Sequence, residues 1–390
     1  MTVSLSPTAM NPVKQGRWAV AAMFFVNGMV TGAWAPQIPL LLPRHDITES
    51  TLGLLILFFG LGAVGAMLTA GRLIATYGST RILRTFAFVL VPTLPLVVAA
   101  PNLASLAATM ALLGAFLGTM DVAMNANAVE VEHRMGRAIM SSLHGFWSLG
   151  GFFGAGVGGW VVASYGPMTE ALLVGALCLM LVLAAMPRIL QATAHHTAPG
   201  APRDALFPRD LSLWLLGVMA LLSMVPEGSV MDWGALYLQK ELGAGQAAST
   251  LGFAFFMGTM AMMRFAGDSV RNRFGAVATL RASGLIGAIG LGAAALAPTP
   301  AFACAGFAFA GIGVANMIPI IFSAAGNHPG LSAGTAIAAV TMLGYSGILI
   351  APASIGFVAE HLGFRVTYAA LAILLAVVAW QATRARAAER

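Results

Sequence analysis

Twelve stretches of mainly apolar residues run along the chain, separated by short polar connections. They lie at about 18–42, 51–74, 82–99, 104–129, 138–164, 168–187, 212–238, 247–269, 277–297, 300–325, 332–360 and 364–383. A helix needs roughly 20 such residues to cross a bilayer. The pattern therefore predicts twelve transmembrane helices. The short alternating segments of a barrel are absent, and only structures that satisfy every backbone group internally can span lipid. Residues 1–17 are polar and hold Lys14 and Arg17. The first apolar run is too long for a signal h-region and no A-x-A-like site follows it, so it reads as a retained first helix.

The connections carry orientation. Of the 20 lysines and arginines, only Arg44, Lys240 and Arg365 fall on the side opposite the termini. An excess of basic residues marks the cytoplasmic side, so both termini are expected there. The longest connection, 188–211, is polar and contains Pro199, Pro202 and Pro208. It reads as a cytoplasmic linker between an N-terminal bundle, 1–187, and a C-terminal bundle, 212–390. His195 and His196 within it read as solvated linker residues, because no third ligand lies nearby.

The two parts also repeat. Ser50-Thr51-Leu52-Gly53 opens the second helix, and Ser249-Thr250-Leu251-Gly252 opens the eighth. Gly150, Gly159 and Gly166 recur at one constant offset as Gly347, Gly356 and Gly363. Agreement across several helices signals duplication. Two parallel six-helix repeats place a binding site near the midplane between them.

Composition narrows the class. The chain is 59% hydrophobic and 9% charged, with a mean hydropathy of +0.86. Soluble domains carry about 25% charged residues, so the bilayer must act as solvent here. The pI of about 9.9 comes from arginines spread over loops, which argues against a nucleic-acid partner. Cys178 and Cys304 sit in apolar runs without metal-ligand spacing, so neither a disulfide framework nor a metal is expected. No phosphate loop, zinc-protease helix or serine-nucleophile elbow occurs. An enzyme, an ATP-driven pump and a cofactor are therefore not expected.

With these features in view, the chain resembles the major facilitator superfamily over its whole length. The family's G-x-L-x-D-R-x-G loop appears as Gly71-Arg72-Leu73-Ile74-Ala75-Thr76-Tyr77-Gly78, with Ala75 at the acidic position. Its second copy is Asp268-Ser269-Val270-Arg271-Asn272-Arg273-Phe274-Gly275. The fifth helix carries Gly150, Gly154, Ala155, Gly158 and Gly159 where the family has G-x-x-x-G-P-x-x-G-G. That pattern is associated with antiporters, and it equally lets helices approach closely. Gly118 to Asn127, which includes Asp121 and Asn125, looks like the acid-x-x-x-Asn segment of the fucose permease-like branch. Glu227 to Trp233 looks like uncharacterised bacterial inner-membrane members and rhizopine-transporter relatives. The resemblance implies the major facilitator fold: an all-α polytopic membrane protein of twelve helices in two pseudo-symmetric six-helix bundles. It also implies a monomer in the cell inner membrane, and sugars, inositols or amino sugars as cargo.

Ionisable residues inside a bilayer are costly and mark function. Asp121 lies nine residues, roughly 13 Å of helix, before Glu130, which places it near the midplane. Asn125 is one turn away on the same face. A carboxylate beside an amide can hydrogen-bond a polyol and exchange a proton. Glu227 follows Pro226, where the missing backbone donor predicts a kink. Asp232 lies about 140° around the helix from Glu227, so both reach one cavity only if the helix breaks. Asn27, Gln37, His144 and Asn316 are further polar candidates. Pro36 and Pro39 are expected to kink the first helix, and Pro319 the tenth. Trp34 and Trp233 either stack on a sugar ring or anchor helices at the interface. Glu130, Glu132, Arg134 and Arg137 form either a solvated charge run or, with Arg72 or Arg271, a gate; Asp268 is a substitute acid for that loop.

The expected function is secondary transport of a small hydrophilic solute, by proton-coupled uptake with alternating access. Efflux is the alternative, and a non-transporting receptor is a remote third.

Overall fold

A computed structural model describes residues 12–136, 139–191, 210–329 and 333–389. Arg137 and linker residues 192–209, with His195 and His196, lie outside the described residues. The described chain forms twelve helical rods and, among those residues, no strand. In order they are α1 Pro12–His45, α2 Glu49–Tyr77, α3 Ser79–Ala99, α4 Leu103–Met135, α5 Met140–Tyr165, α6 Pro167–Ala185, α7 Leu211–Lys240, α8 Leu251–Phe274, α9 Ala276–Ala295, α10 Pro300–Gly326, α11 Ala333–Leu362 and α12 Phe364–Gln381. Among the described residues, eleven stretches are long and apolar enough to cross a membrane.

Local sequence sets the rod ends. Thr48 caps α2 and Asn102 caps α4 through a reciprocal capping box with Ser105. Each satisfies a backbone donor left over at a helix start. Gly78 and Gly275 turn tightly between consecutive helices with φ of 81° each, and Gly166 and Gly363 do so at 87° each. Positive φ is open to glycine without steric cost. The duplicated glycines thus carry a duplicated backbone conformation.

The prolines act unevenly. α1 is interrupted by a 3-10 turn at Ala35–Gln37, beside Pro36 and Pro39, as expected. α10 breaks between Val314 and Met317, just before Pro319, where the proline ring removes a helical hydrogen bond. By contrast, α7 runs as one helix through Pro226, so the break that would bring Asp232 and Glu227 to one cavity does not form.

Small residues bring the rods together. α1 packs on α5, α2 on α4, α7 on α11 and α8 on α10, while α5–α8 and α2–α11 join the first six helices to the last six. A Cβ at Gly28 would stand 1.9 Å from the Trp147 carbonyl oxygen, and one at Gly150 2.2 Å from that of Phe25. The other side of α5 meets α8, where a Cβ at Gly159 would lie 1.9 Å from Thr250 Oγ1. Close approach therefore accounts for the glycine pattern of α5. Gly150→Ala is expected to destabilise by about 1–3 kcal/mol through overpacking against backbone. Gly65→Ala, where a Cβ would meet nothing within 4 Å, should be neutral or slightly stabilising. Melting temperatures in detergent check this; equal values for G150A and wild type would remove the packing argument.

The outer surface suits lipid. Leu68, Met262 and Ile373 are strongly exposed, and Trp18, Tyr77, Tyr165 and Trp380 are exposed near helix ends. That is the arrangement of an apolar belt flanked by aromatic residues.

Candidate functional site

Four ionisable side chains come from the middle of four different rods. Asp121 lies about 27 Å along α4 from Leu103, and Glu227 about 24 Å along α7 from Leu211, at 1.5 Å rise per residue. Arg264 is about 20 Å into α8 and Tyr345 about 18 Å into α11, by the same rise. Tyr345 is within electrostatic range of both Asp121 and Glu227. All four keep partial solvent exposure. Ionisable side chains at this depth that keep solvent access are the expected signature of a polar cleft inside a helix bundle.

Asn125 turns back on Asp121. Its Nδ2 donates to the Asp121 carbonyl at 2.9 Å and to Asp121 Oδ1 at 3.3 Å. On α8, Arg264 Nη2 sits 3.4 Å from Glu227 Oε1, and Nη1 donates to Ser148 Oγ at 2.7 Å. The guanidinium also lies 5.8 Å from the Trp147 ring centre, in cation–π range. Trp147 Nε1 donates to Asn27 Oδ1 at 2.9 Å, and Asn27 Nδ2 donates to the Leu117 carbonyl at 3.2 Å. One polar chain therefore links α7, α8, α5, α1 and α4. Glu227 and Arg264 belong to the last six helices, and Ser148, Trp147 and Asn27 to the first six. His144 packs edge-on against Phe24 at 5.2 Å, within electrostatic range of Arg264.

The other expected site residues lie elsewhere. Asp232 faces away from Glu227, as an unbroken helix requires; its electrostatic neighbour is Tyr368 of α12. Trp34 and Trp233 are 4% and 0% exposed, and the indole nitrogen of each has no hydrogen-bond partner. Trp233 packs on Phe364. Both side chains are packed in the interior of the bundle. Gln37 is buried and donates to Glu170 Oε2 at 2.7 Å. Asn316 is buried at the α10 break, with its Oδ1 occupying the space beside Gly267.

The charge run at the end of α4 is tied down within the first six helices. Arg134 pairs with Glu130 at 2.6 Å and donates to the Gln191 carbonyl at 2.9 Å. Glu132 Oε2 accepts from Ile139 and Met140 N–H at the start of α5. Arg271 donates to Ser323 Oγ and the Ala388 carbonyl, both in the last six helices. The alternative pairing of the run with Arg271 across the two sets is therefore not formed among the described residues. Arg72 is exposed on α2, and the Asp268 side chain lies outside what is described.

The two sets close on the face opposite the termini. Lys240 Nζ meets Glu49 Oε1, Ser50 N–H donates to Glu360 Oε2 at 2.9 Å, and Gln246 Nε2 donates to the Pro36 carbonyl at 2.8 Å. Toward the termini, contact between α5 and α8 continues as far as Ser141 Oγ on the Arg264 carbonyl and Phe146 on Phe265.

Sequence reasoning missed Arg264, Tyr345 and Glu170. Arg264 counts among the basic residues on the side of the termini, although its place well inside the apolar run 247–269 was the available signal. Glu170 reads as a first-turn acid at a helix start, yet it is 1% exposed.

A twelve-rod all-α body with ionisable side chains kept partly exposed at mid-depth has the architecture of a membrane transporter. A profile described as Major Facilitator Superfamily matches residues 20–352, and the chain belongs to that family. It is 34% identical over 383 residues to an uncharacterized MFS-type transporter of Yersinia pestis, covering 97% of this chain and 98% of the relative. It is 34% identical to the membrane protein MosC of Rhizobium meliloti, covering 88% and 84%. Among solved structures, a point mutant of the nucleoside transporter NupG superposes with a TM-score of 0.74 at 14% identity, covering 95% of this chain and 99% of that one. A point mutant of the E. coli fucose:proton symporter FucP gives 0.64 at 16% identity, covering 96% and 99%.

Proposed function

We propose that this transporter carries a small polyhydroxylated solute of the sugar, inositol or amino-sugar class inward, driven by protons, across the bacterial inner membrane. The observation that carries the reading is a pair of partly exposed acids at mid-bundle. Asp121 is held by Asn125 and Glu227 by Arg264, and Tyr345 of α11 lies within electrostatic range of both. Carboxylates and amides accept and donate to hydroxyl groups, and a carboxylate can also bind the proton that drives transport. Cargo that presents an amine would gain a charge-assisted contact with Asp121. The fold likeness to transporters of a nucleoside and of fucose with a proton supports a hydrophilic, sugar-containing cargo.

In this reading residues 1–187 and 212–390 are two bodies that rock about the cleft, joined by the cytoplasmic linker at 188–211. With both termini in the cytoplasm, the contacts Glu49–Lys240, Ser50–Glu360 and Pro36–Gln246 close the outer side of the transporter. A screen of the purified protein tests the substrate class. Inositols, sugars or amino sugars at about 100 times their dissociation constant are expected to raise the melting temperature, because ligand binds only the folded state. A screen in which only apolar amphiphilic drugs stabilise the protein would replace this reading with drug efflux.

A further inference from the structure

On the face that bears the termini, the chain turns from α2 into α3 beside the end of α6. There a polar cavity of about 360 Å³ opens. Tyr77, Thr80, Arg81, Arg84, Thr85 and Gln191 line it. Among the described residues, no carboxylate forms an ion pair with Arg81 or Arg84. Arg84 makes only a long contact, 3.5 Å, from Nη2 to the Ile189 carbonyl, and its Nε is buried without a hydrogen-bond partner. A buried guanidinium N–H left unsatisfied costs free energy and calls for an acceptor that the described residues do not supply.

Two arginines converging on one cavity suit a phosphate, whose oxygens match the guanidinium fork. The cavity sits where α3 begins, so the first backbone N–H groups of a twelve-residue helical segment add to the positive field. Its surroundings indicate where that phosphate comes from. Arg81, Thr85 and Phe88 follow one another on a single exposed face of α3, at four- and three-residue spacing. The stripe runs from a cationic end into the apolar belt, and exposed Tyr77 marks headgroup depth. A phospholipid has the same order, with its phosphate at the surface and its acyl chains below. Basic pockets between helices at this depth hold anionic headgroups.

We propose that this cavity binds the phosphate of an anionic phospholipid from the adjoining leaflet, with Arg84 and Arg81 as its ligands. The site is separate from the transport cleft and does not depend on the cargo assigned above. It also gives the α2–α3 turn, where Ala75 replaces the family's acid, a partner that is not part of the chain.

The test uses delipidated full-length protein in detergent. Phosphatidylglycerol is expected to raise the melting temperature, phosphatidylcholine to do so much less, and inorganic phosphate hardly at all. Arg84→Gln should weaken phosphatidylglycerol binding about tenfold, the value of one charge-assisted hydrogen bond. Arg81→Lys with Arg84→Lys keeps the charge but loses the guanidinium fork and should bind phosphatidylglycerol better than Arg81→Gln with Arg84→Gln and less well than wild type, which separates loss of the site from loss of fold. An equal response to inorganic phosphate that Arg84→Gln removes would keep the anion site but overturn the lipid as its source. Equal binding of phosphatidylglycerol by wild type and by Arg81→Gln with Arg84→Gln would overturn the proposal altogether.

Discussion

Asp121→Asn is expected to abolish proton-driven accumulation of substrate while leaving exchange of substrate across the membrane. The replacement is nearly isosteric and the site is half-buried, so the fold should persist. Asn125 can still donate to the new side-chain oxygen from one turn away. What disappears is the ability to hold a charge in one state and a proton in the other. Without it, binding and reorientation continue, but the proton gradient has no handle on them. Reconstituted vesicles with an imposed pH gradient separate the two activities. Concentrative uptake by D121N at the wild-type rate would remove Asp121 from the mechanism.

The second large effect concerns Glu227 and Arg264. Their side chains are 15% and 13% exposed and 3.4 Å apart. Removing one partner of a buried ion pair leaves an uncompensated charge, at about 3–5 kcal/mol. Glu227→Gln and Arg264→Gln are each expected to fall toward the lower part of that range. The contact is long, and Ser148 continues to hold the guanidinium in the first variant. The double variant should recover part of the loss, because neither charge is then stranded. Groups in contact couple by roughly 0.5–3 kcal/mol, whereas distant ones add. Unfolding measurements on the three variants give the coupling directly. Strict additivity would show that the pair does not act as a unit. Arg264 also touches both helix sets, so each single variant should lower transport more than its stability loss explains.

Much of this protein was legible in the order of its residues. Twelve apolar runs became twelve helices because lipid offers backbone groups no partner other than the helix itself. Pro36, Pro39 and Pro319 broke their helices near the expected places. The repeated glycines closed equivalent turns with equal φ values. Asp121 and Glu227 stood out because charge in an apolar run is costly wherever the run ends up.

Partnership was not legible. Arg264 reads as a loop arginine until α8 is seen to carry it against Glu227, Ser148 and Trp147. Asn27 and Gln37 look like cargo ligands along their helix, yet tertiary packing commits them to Trp147 and Glu170. Trp34 and Trp233 are amphipathic side chains whose place depends on neighbours far away in sequence, and those neighbours bury them. Pro226 leaves α7 continuous, so Asp232 stays turned away from Glu227. The sequence by itself determined which segments enter the membrane and which charges they bring. The tertiary structure decided which of those charges meet, because contacts across helices depend on the rotation and depth of each rod, and a single helical period does not encode either.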